Sequence, residues 1–216
     1  MPIKSQKINI KVGGITRIED ATLAVALGAF ALGFIFYEKS RRYIDPAKVR
    51  AIIEALPPRL SHPVRLVGVF VNAAALDIRE AARISGIDTI QLHGDETPLF
   101  CEALTEFTLW KAFRLKSAEQ FAQLPVYAAL PGIEGFLFDA AVPGQYGGTG
   151  HKVDWDLLEQ VPRQKPLIVS GGLHPGNIHA AWQRFQPYAL DLSSGVECSP
   201  GIKDADLLTR LFAEKG

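Results

Sequence analysis

Three glycine-bearing turns in the last third of the chain each follow a short apolar stretch. Gly147-Gly148-Thr149-Gly150 comes after Phe136-Leu137-Phe138-Asp139, Ser170-Gly171-Gly172 after Leu167-Ile168-Val169, and Ser193-Ser194-Gly195 after Leu190-Asp191-Leu192. Glycine lets backbone N–H groups approach a ligand closely, and clustered N–H groups cradle an anion. Turns at Gly171-Gly172 and Ser194-Gly195 therefore suit a phosphate, and a phosphorylated small molecule is the first ligand to consider. Side chains able to do ionic or acid–base chemistry precede other turns: Lys11 with Gly13-Gly14, Arg42, Gln91, His93, Lys111, Arg114, Asp139 and Asp191. Asp139 ends an apolar run and is followed by Ala140-Ala141-Val142, a setting that desolvates a carboxyl and favours the protonated form a general acid needs. A guanidinium such as that of Arg42 is a natural partner for a carboxylate or phosphate.

Each of these residues has a plainer structural reading. Asp139 could cap a loop amide, Arg42 could be a solvated loop charge, and on spacing alone His93 reads first as a hydrogen-bonded core histidine. Lys111 could form a Schiff base, but a charge-paired strand-end lysine is the commoner case. His151, His174 and His179 show no metal-ligand spacing, so no metal site is expected.

The elements that must position these groups follow from an alternation along the chain. Strand-like runs at Ile8–Val12, Ala31–Tyr37, Leu66–Val71, Thr89–His93, Leu109–Leu115, Gly135–Asp139, Pro166–Ser170 and Tyr188–Leu192 are separated by helical patterns. Thr16-Arg17-Ile18-Glu19 and Ser117-Ala118-Glu119-Gln120 fit capping boxes. Asp45-Pro46 and Thr97-Pro98 each offer an N-cap followed by a proline at the first helical position. Val49, Ile52, Ile53 and Leu56 then recur at helical spacing until Pro57-Pro58 ends the run, and Leu207, Leu208, Leu211 and Phe212 form a similar face. Such alternation demands parallel strands with crossover helices. Eight units without a linker or composition break predict one domain over residues 1–216, an α/β closed (β/α)8 barrel of the TIM type. Catalytic groups of such barrels sit at the C-terminal strand ends, and the last two strands commonly hold a phosphate. The long Gly-rich loop from Ala141 to Lys152 reads as functional. No Gly-x-Gly-x-x-Gly follows the first strand, which disfavours a dinucleotide. Phe34, Phe36, Phe136 and Phe138 read as core.

Composition narrows the partners. In 216 residues, 23 Lys and Arg balance 23 Asp and Glu, and only Arg41-Arg42 are adjacent basic residues, so no affinity for nucleic acid is expected. The most apolar window, Ala21 to Tyr37, is broken by Gly28 and Gly33 and is too short to span a bilayer. Met1 to Ile10 lacks the apolar core of a secretory signal. A cytoplasmic protein without membrane association is expected. Cys101 and Cys198 have neither metal spacing nor a disulfide framework and are expected to be buried or partly buried thiols. Monomer and homodimer are equally compatible with the sequence.

Taken in order and spacing, these pieces resemble phosphoribosylanthranilate isomerase, a barrel enzyme of tryptophan biosynthesis. The resemblance rests on Lys11-Val12-Gly13-Gly14-Ile15-Thr16, the segment from Gly33-Phe34 to Tyr43, and Gln91-Leu92-His93-Gly94. It continues through Asp139, Gly147-Gly148-Thr149-Gly150 with Asp154-Trp155, Ser170-Gly171-Gly172-Leu173, and Asp191 through Glu197 with Pro200-Gly201. It implies an Amadori rearrangement of N-(5-phosphoribosyl)anthranilate to 1-(2-carboxyphenylamino)-1-deoxyribulose 5-phosphate, without cofactor or metal. By the same resemblance Asp139 is the general acid that opens the furanose, Arg42 holds the anthranilate carboxylate, and His93 and Asp191 lie close to the substrate. Amides around Gly171, Gly172, Ser194 and Gly195 hold its phosphate.

The chain departs from the family pattern at one decisive place. Gly13 stands where the family has the cysteine that removes the C2′ proton, and Ser40-Arg41-Arg42 replaces the usual Ser-Pro-Arg. Several readings follow. The chain is an isomerase whose missing base is replaced by a water beside Gly13, by Asp139 in a second role or by unassisted tautomerisation. Alternatively it is a non-catalytic phosphosugar-binding paralogue, an ordinary enzyme with its base engineered away, or more distantly another phosphosugar isomerase or aldolase.

Overall fold

The apolar runs become eight parallel strands that close on themselves. The computed structural model describes residues 8–57, 63–140 and 154–213. The strands are β1 (Ile10–Val12), β2 (Ala31–Ile35), β3 (Arg65–Phe70), β4 (Thr89–Leu92), β5 (Thr108–Leu115), β6 (Ile133–Ala140), β7 (Leu167–Val169) and β8 (Ala189–Leu192). They are hydrogen-bonded in sequence order, and β8 pairs in parallel with β1 to complete the barrel. Helices α1 (Ile18–Ala26), α2 (Pro46–Ala55), α3 (Ala75–Ser85), α4 (Pro98–Glu102), α5 (Leu124–Ala128), α6 (Trp155–Glu159) and α7 (Ile178–Phe185) connect consecutive strands. A short antiparallel hairpin, β9 (Glu197–Ser199) and β10 (Ile202–Lys203), precedes α8 (Ala205–Ala213).

The helix starts follow local side-chain chemistry. The Asp45 carboxylate accepts from Ala47 N at 2.8 Å, and the Thr97 hydroxyl accepts from Phe100 N at 3.2 Å, each with a proline opening its helix. Leu56 is extended, as the residue before Pro57 must be, and α2 stops there. Gln120 Oε1 accepts from Ser117 N at 3.4 Å, but the box heads a 3-10 turn rather than an α-helix. The box expected at Thr16 does not form. Arg17 is the N-cap of α1, and the Thr16 hydroxyl donates instead to the Gly201 carbonyl of the hairpin. The Gly147–Gly150 turn and His151 lie outside the described residues.

Alternation along each strand sorts side chains between two cores. Phe136 and Phe138 face outward into the layer shared with the helices, where Phe113 meets Phe136 edge-on at 5.2 Å and stacks on Phe138 at 5.6 Å. Burying one such ring stabilises the fold by roughly 1.5–3 kcal/mol. A second, smaller cluster fills the barrel itself: Ala31, Val67, Trp110, Ala112, Leu137, Ile168 and Ala189. Residues two further along these same faces, Gly33, Val69, Asp139, Ser170 and Asp191, continue up the lumen toward the C-terminal rim. Strand parity thereby delivers both carboxyls to the mouth of the barrel.

The cysteines separate. Cys101 is buried in α4, and burial pushes its thiol up to about 11, which makes it an inert core residue. Cys198 is exposed, contrary to the expectation that both thiols are covered, because it lies on the outlying β9–β10 hairpin instead of the barrel wall.

Candidate active site

Most of the candidate residues meet in one cavity at the C-terminal rim. Gly13, Arg42, His93, Asp139 and Asp191 line it together with Lys11, Gly14, Tyr37, Ser40, Gln91, Ser170 and Ser193. Val69, Val71 and Ile35 supply an apolar wall. Gly171, Gly172, Ser194 and Gly195 are not among its lining residues; Ser170 and Ser193, which lead into their turns, are.

The two glycine turns are nonetheless one structure. Gly195 packs so tightly on the β7 loop that an added Cβ would fall 1.9 Å from the Leu173 carbonyl oxygen. Gly171 and Gly172 both adopt left-handed backbone, at φ 89° and 66°. Only glycine tolerates these two constraints together, so the strand-7 and strand-8 turns abut beside the cavity.

Asp139 is 5% exposed at the end of β6, opposite Arg114 in the register with β5. His93 Nε2 lies 3.3 Å from Asp139 Oδ2. His93 Nδ1 meets Gln91 Nε2 at 2.7 Å, and with the amide donating, the ring proton resides on Nε2, facing the carboxyl. His93 is therefore both buried, as its spacing suggests, and a wall of the cavity. Lys11 and Asp191 sit opposite one another in the β1–β8 register, and Lys11 Nζ donates to Asp191 Oδ2 at 2.8 Å.

Arg42 is not a solvated loop charge. It is 5% exposed and gripped by Glu197, with Nε and Nη2 donating to the carboxylate at 2.7 to 3.1 Å. Glu197 also accepts from Lys203 Nζ at 2.8 Å, and the same ammonium donates to the Gly13 carbonyl at 2.6 Å and the Ser193 carbonyl at 3.3 Å. Burial works to raise the Glu197 carboxyl, but the adjoining Arg42 and Lys203 outweigh it and hold the group below the ordinary carboxylate range. Burial pushes the Lys203 ammonium down, against the pull of Glu197. The trio lies beside the cavity with a second carboxylate, Asp20, which accepts from Lys203 N at 3.0 Å. Gly14 makes room for Arg42. At φ 71° an added Cβ would stand 2.6 Å from Arg42 Cδ.

Glu197 and Lys203 escape the strand-end reading because the β9–β10 hairpin carries them back over the barrel mouth. Glu197 closes the Asp191-through-Glu197 segment of the family-like pattern, which was the available signal, whereas Lys203 lies beyond that pattern. Lys111 belongs to a neighbouring cluster instead. Its ammonium is held by Glu96 at 2.9 Å and by the carbonyls of Leu92, Gly94 and Ala112, which is the charge-paired role and leaves no basis for Schiff-base chemistry. Among the described residues no three His, Cys, Asp or Glu side chains converge as a metal site, and no helix is long and apolar enough to cross a membrane.

Comparison with known proteins places this cavity in context. Residues 10–214 match the family model for N-(5'phosphoribosyl)anthranilate (PRA) isomerase. A relative from Citrifermentans bemidjiense named N-(5'-phosphoribosyl)anthranilate isomerase is 44% identical over 205 residues, covering 95% of each chain. The crystal structure of phosphoribosyl anthranilate isomerase from Thermotoga maritima superposes with a TM-score of 0.85 at 37% identity, over 96% of this chain and 98% of that one. A further isomerase, solved with reduced 1-(o-carboxyphenylamino)-1-deoxyribulose 5-phosphate, gives a TM-score of 0.82 at 34% identity, over 96% and 98% of the two chains. The matches are continuous from the first strand through the last helix, and the chain belongs to the N-(5'-phosphoribosyl)anthranilate isomerase family.

Proposed function

We propose that this chain catalyses the Amadori rearrangement of N-(5-phosphoribosyl)anthranilate to 1-(2-carboxyphenylamino)-1-deoxyribulose 5-phosphate, slowly because Gly13 supplies no thiol. The observation that carries the reading is the meeting of Asp139, Arg42 and the Ser170 and Ser193 turns in one cavity of a family member. The phosphate rests against the abutting turns at Gly171-Gly172 and Ser194-Gly195. The anthranilate carboxylate takes the Nη1 edge of Arg42, which makes no hydrogen bond among the described residues because Glu197 occupies the other two nitrogens. Glu197 and Lys203 hold that guanidinium at a fixed angle, so positioning costs little side-chain entropy on binding.

Asp139 protonates the ring oxygen and the furanose opens to an iminium. The His93 Nε2–H, 3.3 Å from the Asp139 carboxyl, steadies it when it becomes a carboxylate. Loss of the C2′ proton then gives an enolamine, which tautomerises to the ketone. Only the C2′ step lacks the group that the family resemblance leads one to expect.

A coupled assay for indole-3-glycerol phosphate formation, run on the chain and on Gly13→Cys, tests this reading. Restoring a thiol at the end of β1 is expected to raise kcat/KM at least about tenfold, within the range of a single acid–base group. Equal rates would discard the lost-base account. Binding of the reduced product analogue without turnover by either protein would favour the non-catalytic barrel, a reading that Gly13 itself motivates.

A further inference from the structure

The absent side chain at residue 13 leaves a specific neighbour beside the space it would have filled. An ideal Cβ built on Gly13 stands 3.1 Å from Asp191 Oδ1 and 3.5 Å from Lys11 Nζ. Asp191 is buried, at 7% exposure, and Oδ1 makes no hydrogen bond among the described residues, whereas Oδ2 is taken by Lys11 at 2.8 Å. A buried carboxylate oxygen normally has a partner, so an idle one on a residue that lines the cavity requires an explanation. The register explains its position: Asp191 lies beside Lys11 on the adjoining strand, two residues before Gly13.

We infer that Asp191 Oδ1 is the proton acceptor that stands in for the missing thiol. The inference rests on the isomerase reading above. In the iminium, the C2′–H bond breaks and its proton passes to Asp191 Oδ1. The released electron pair forms the C1′=C2′ double bond, and the pair of the C1′=N bond moves onto nitrogen. The products are a neutral enolamine and a protonated Asp191, with no oxidant, reductant or metal consumed. Asp191 then returns the proton to C1′ as the C2′ hydroxyl becomes the ketone oxygen and passes its own proton to the Asp139 carboxylate, restoring both acids to their starting states.

The ion pair with Lys11 suits and limits this role. The ammonium offsets the charge of a buried carboxylate before the reaction, and it stays within 3.5 Å of the Gly13 space while the substrate is cationic. An ordinary carboxylate is a weaker base than a thiolate by more than about four pKa units, so a Brønsted relation makes the replacement slow. That agrees with a gain from Gly13→Cys even though Asp191 is in place. An added Cβ at 3.1 Å requires Asp191 to move by a few tenths of an ångström, so thiol and carboxylate compete for one location.

The test is a cycle of four proteins assayed for turnover of N-(5-phosphoribosyl)anthranilate: the chain, Asp191→Asn, Gly13→Cys and the double variant. If Asp191 is the acceptor, Asp191→Asn lowers kcat about 100-fold or more in the chain and about tenfold or less beside Gly13→Cys. Binding of the reduced product analogue stays within a fewfold throughout. Equal costs in the two backgrounds, with Gly13→Cys active, would overturn the role of Asp191 and leave the isomerase reading standing. Inactivity of both the chain and Gly13→Cys, in folded proteins that bind the analogue, would overturn both. Should Asp191→Asn unfold by losing the Lys11 pair, Asp191→Glu keeps that pair and reaches further into the Gly13 space. It is expected to retain turnover in the chain and to lose it beside Gly13→Cys; the opposite pattern overturns the inference.

Discussion

The two ends of this barrel treat polar groups in opposite ways. At the N-terminal end Arg65 grips Glu134 through two 2.7 Å hydrogen bonds, Trp110 Nε1 donates to the same carboxylate at 2.9 Å, and the guanidinium lies 5.8 Å from the Phe30 ring. Asn9 Nδ2 completes this floor by donating to the Tyr188 carbonyl at 2.9 Å. At the C-terminal end, Gln91 Oε1, Asp191 Oδ1 and Ser193 Oγ are buried without a hydrogen-bond partner among the described residues. Leaving such groups unmade costs stability, and folds tolerate the cost where a ligand completes the set. The floor is built for stability and the mouth for binding, the division expected of this architecture.

Substitutions at each end sharpen that contrast. The largest effect is expected at Gly195, whose added Cβ would strike the Leu173 carbonyl. Gly195→Ala should cost about 3 kcal/mol, at the upper end of overpacking, and weaken the reduced product analogue more than tenfold. Denaturant unfolding and a binding titration read the two effects; a loss of stability alone would separate this turn from the phosphate. A smaller, purely structural effect is expected at the floor. Arg65→Met should lower stability by about 1–2 kcal/mol, because Arg65 and Glu134 are each about one-third exposed and water softens the loss. Its KM and kcat should match those of the parent. A changed KM would mean that the two ends are coupled.

Much of this arrangement was legible in the sequence because a parallel barrel repeats one simple rule. Every predicted strand run overlaps an observed strand, and the two-residue alternation that buries Phe136 and Phe138 outward also turns Asp139 inward. The same parity carries Lys11, His93 and Asp191 to the mouth. What escaped are contacts made by segments without such a repeat. The β9–β10 hairpin is a few residues long, and its return over the barrel brings Glu197 and Lys203 onto Arg42, draws the Thr16 hydroxyl away from α1, and leaves Cys198 in solvent. These are long-range pairings, at separations of 155 residues for Arg42 with Glu197 and 185 for Thr16 with Gly201, which no local pattern announces.

The central claim is that the carboxyl at the end of β6 donates the proton that opens the sugar ring, and Asp139→Asn tests it most directly. Turnover in the coupled assay should fall by about 10²–10⁴-fold, the worth of one general acid, while the reduced product analogue still binds and the melting temperature holds. Turnover within tenfold of the parent, in a folded variant that still binds the analogue, would contradict the account.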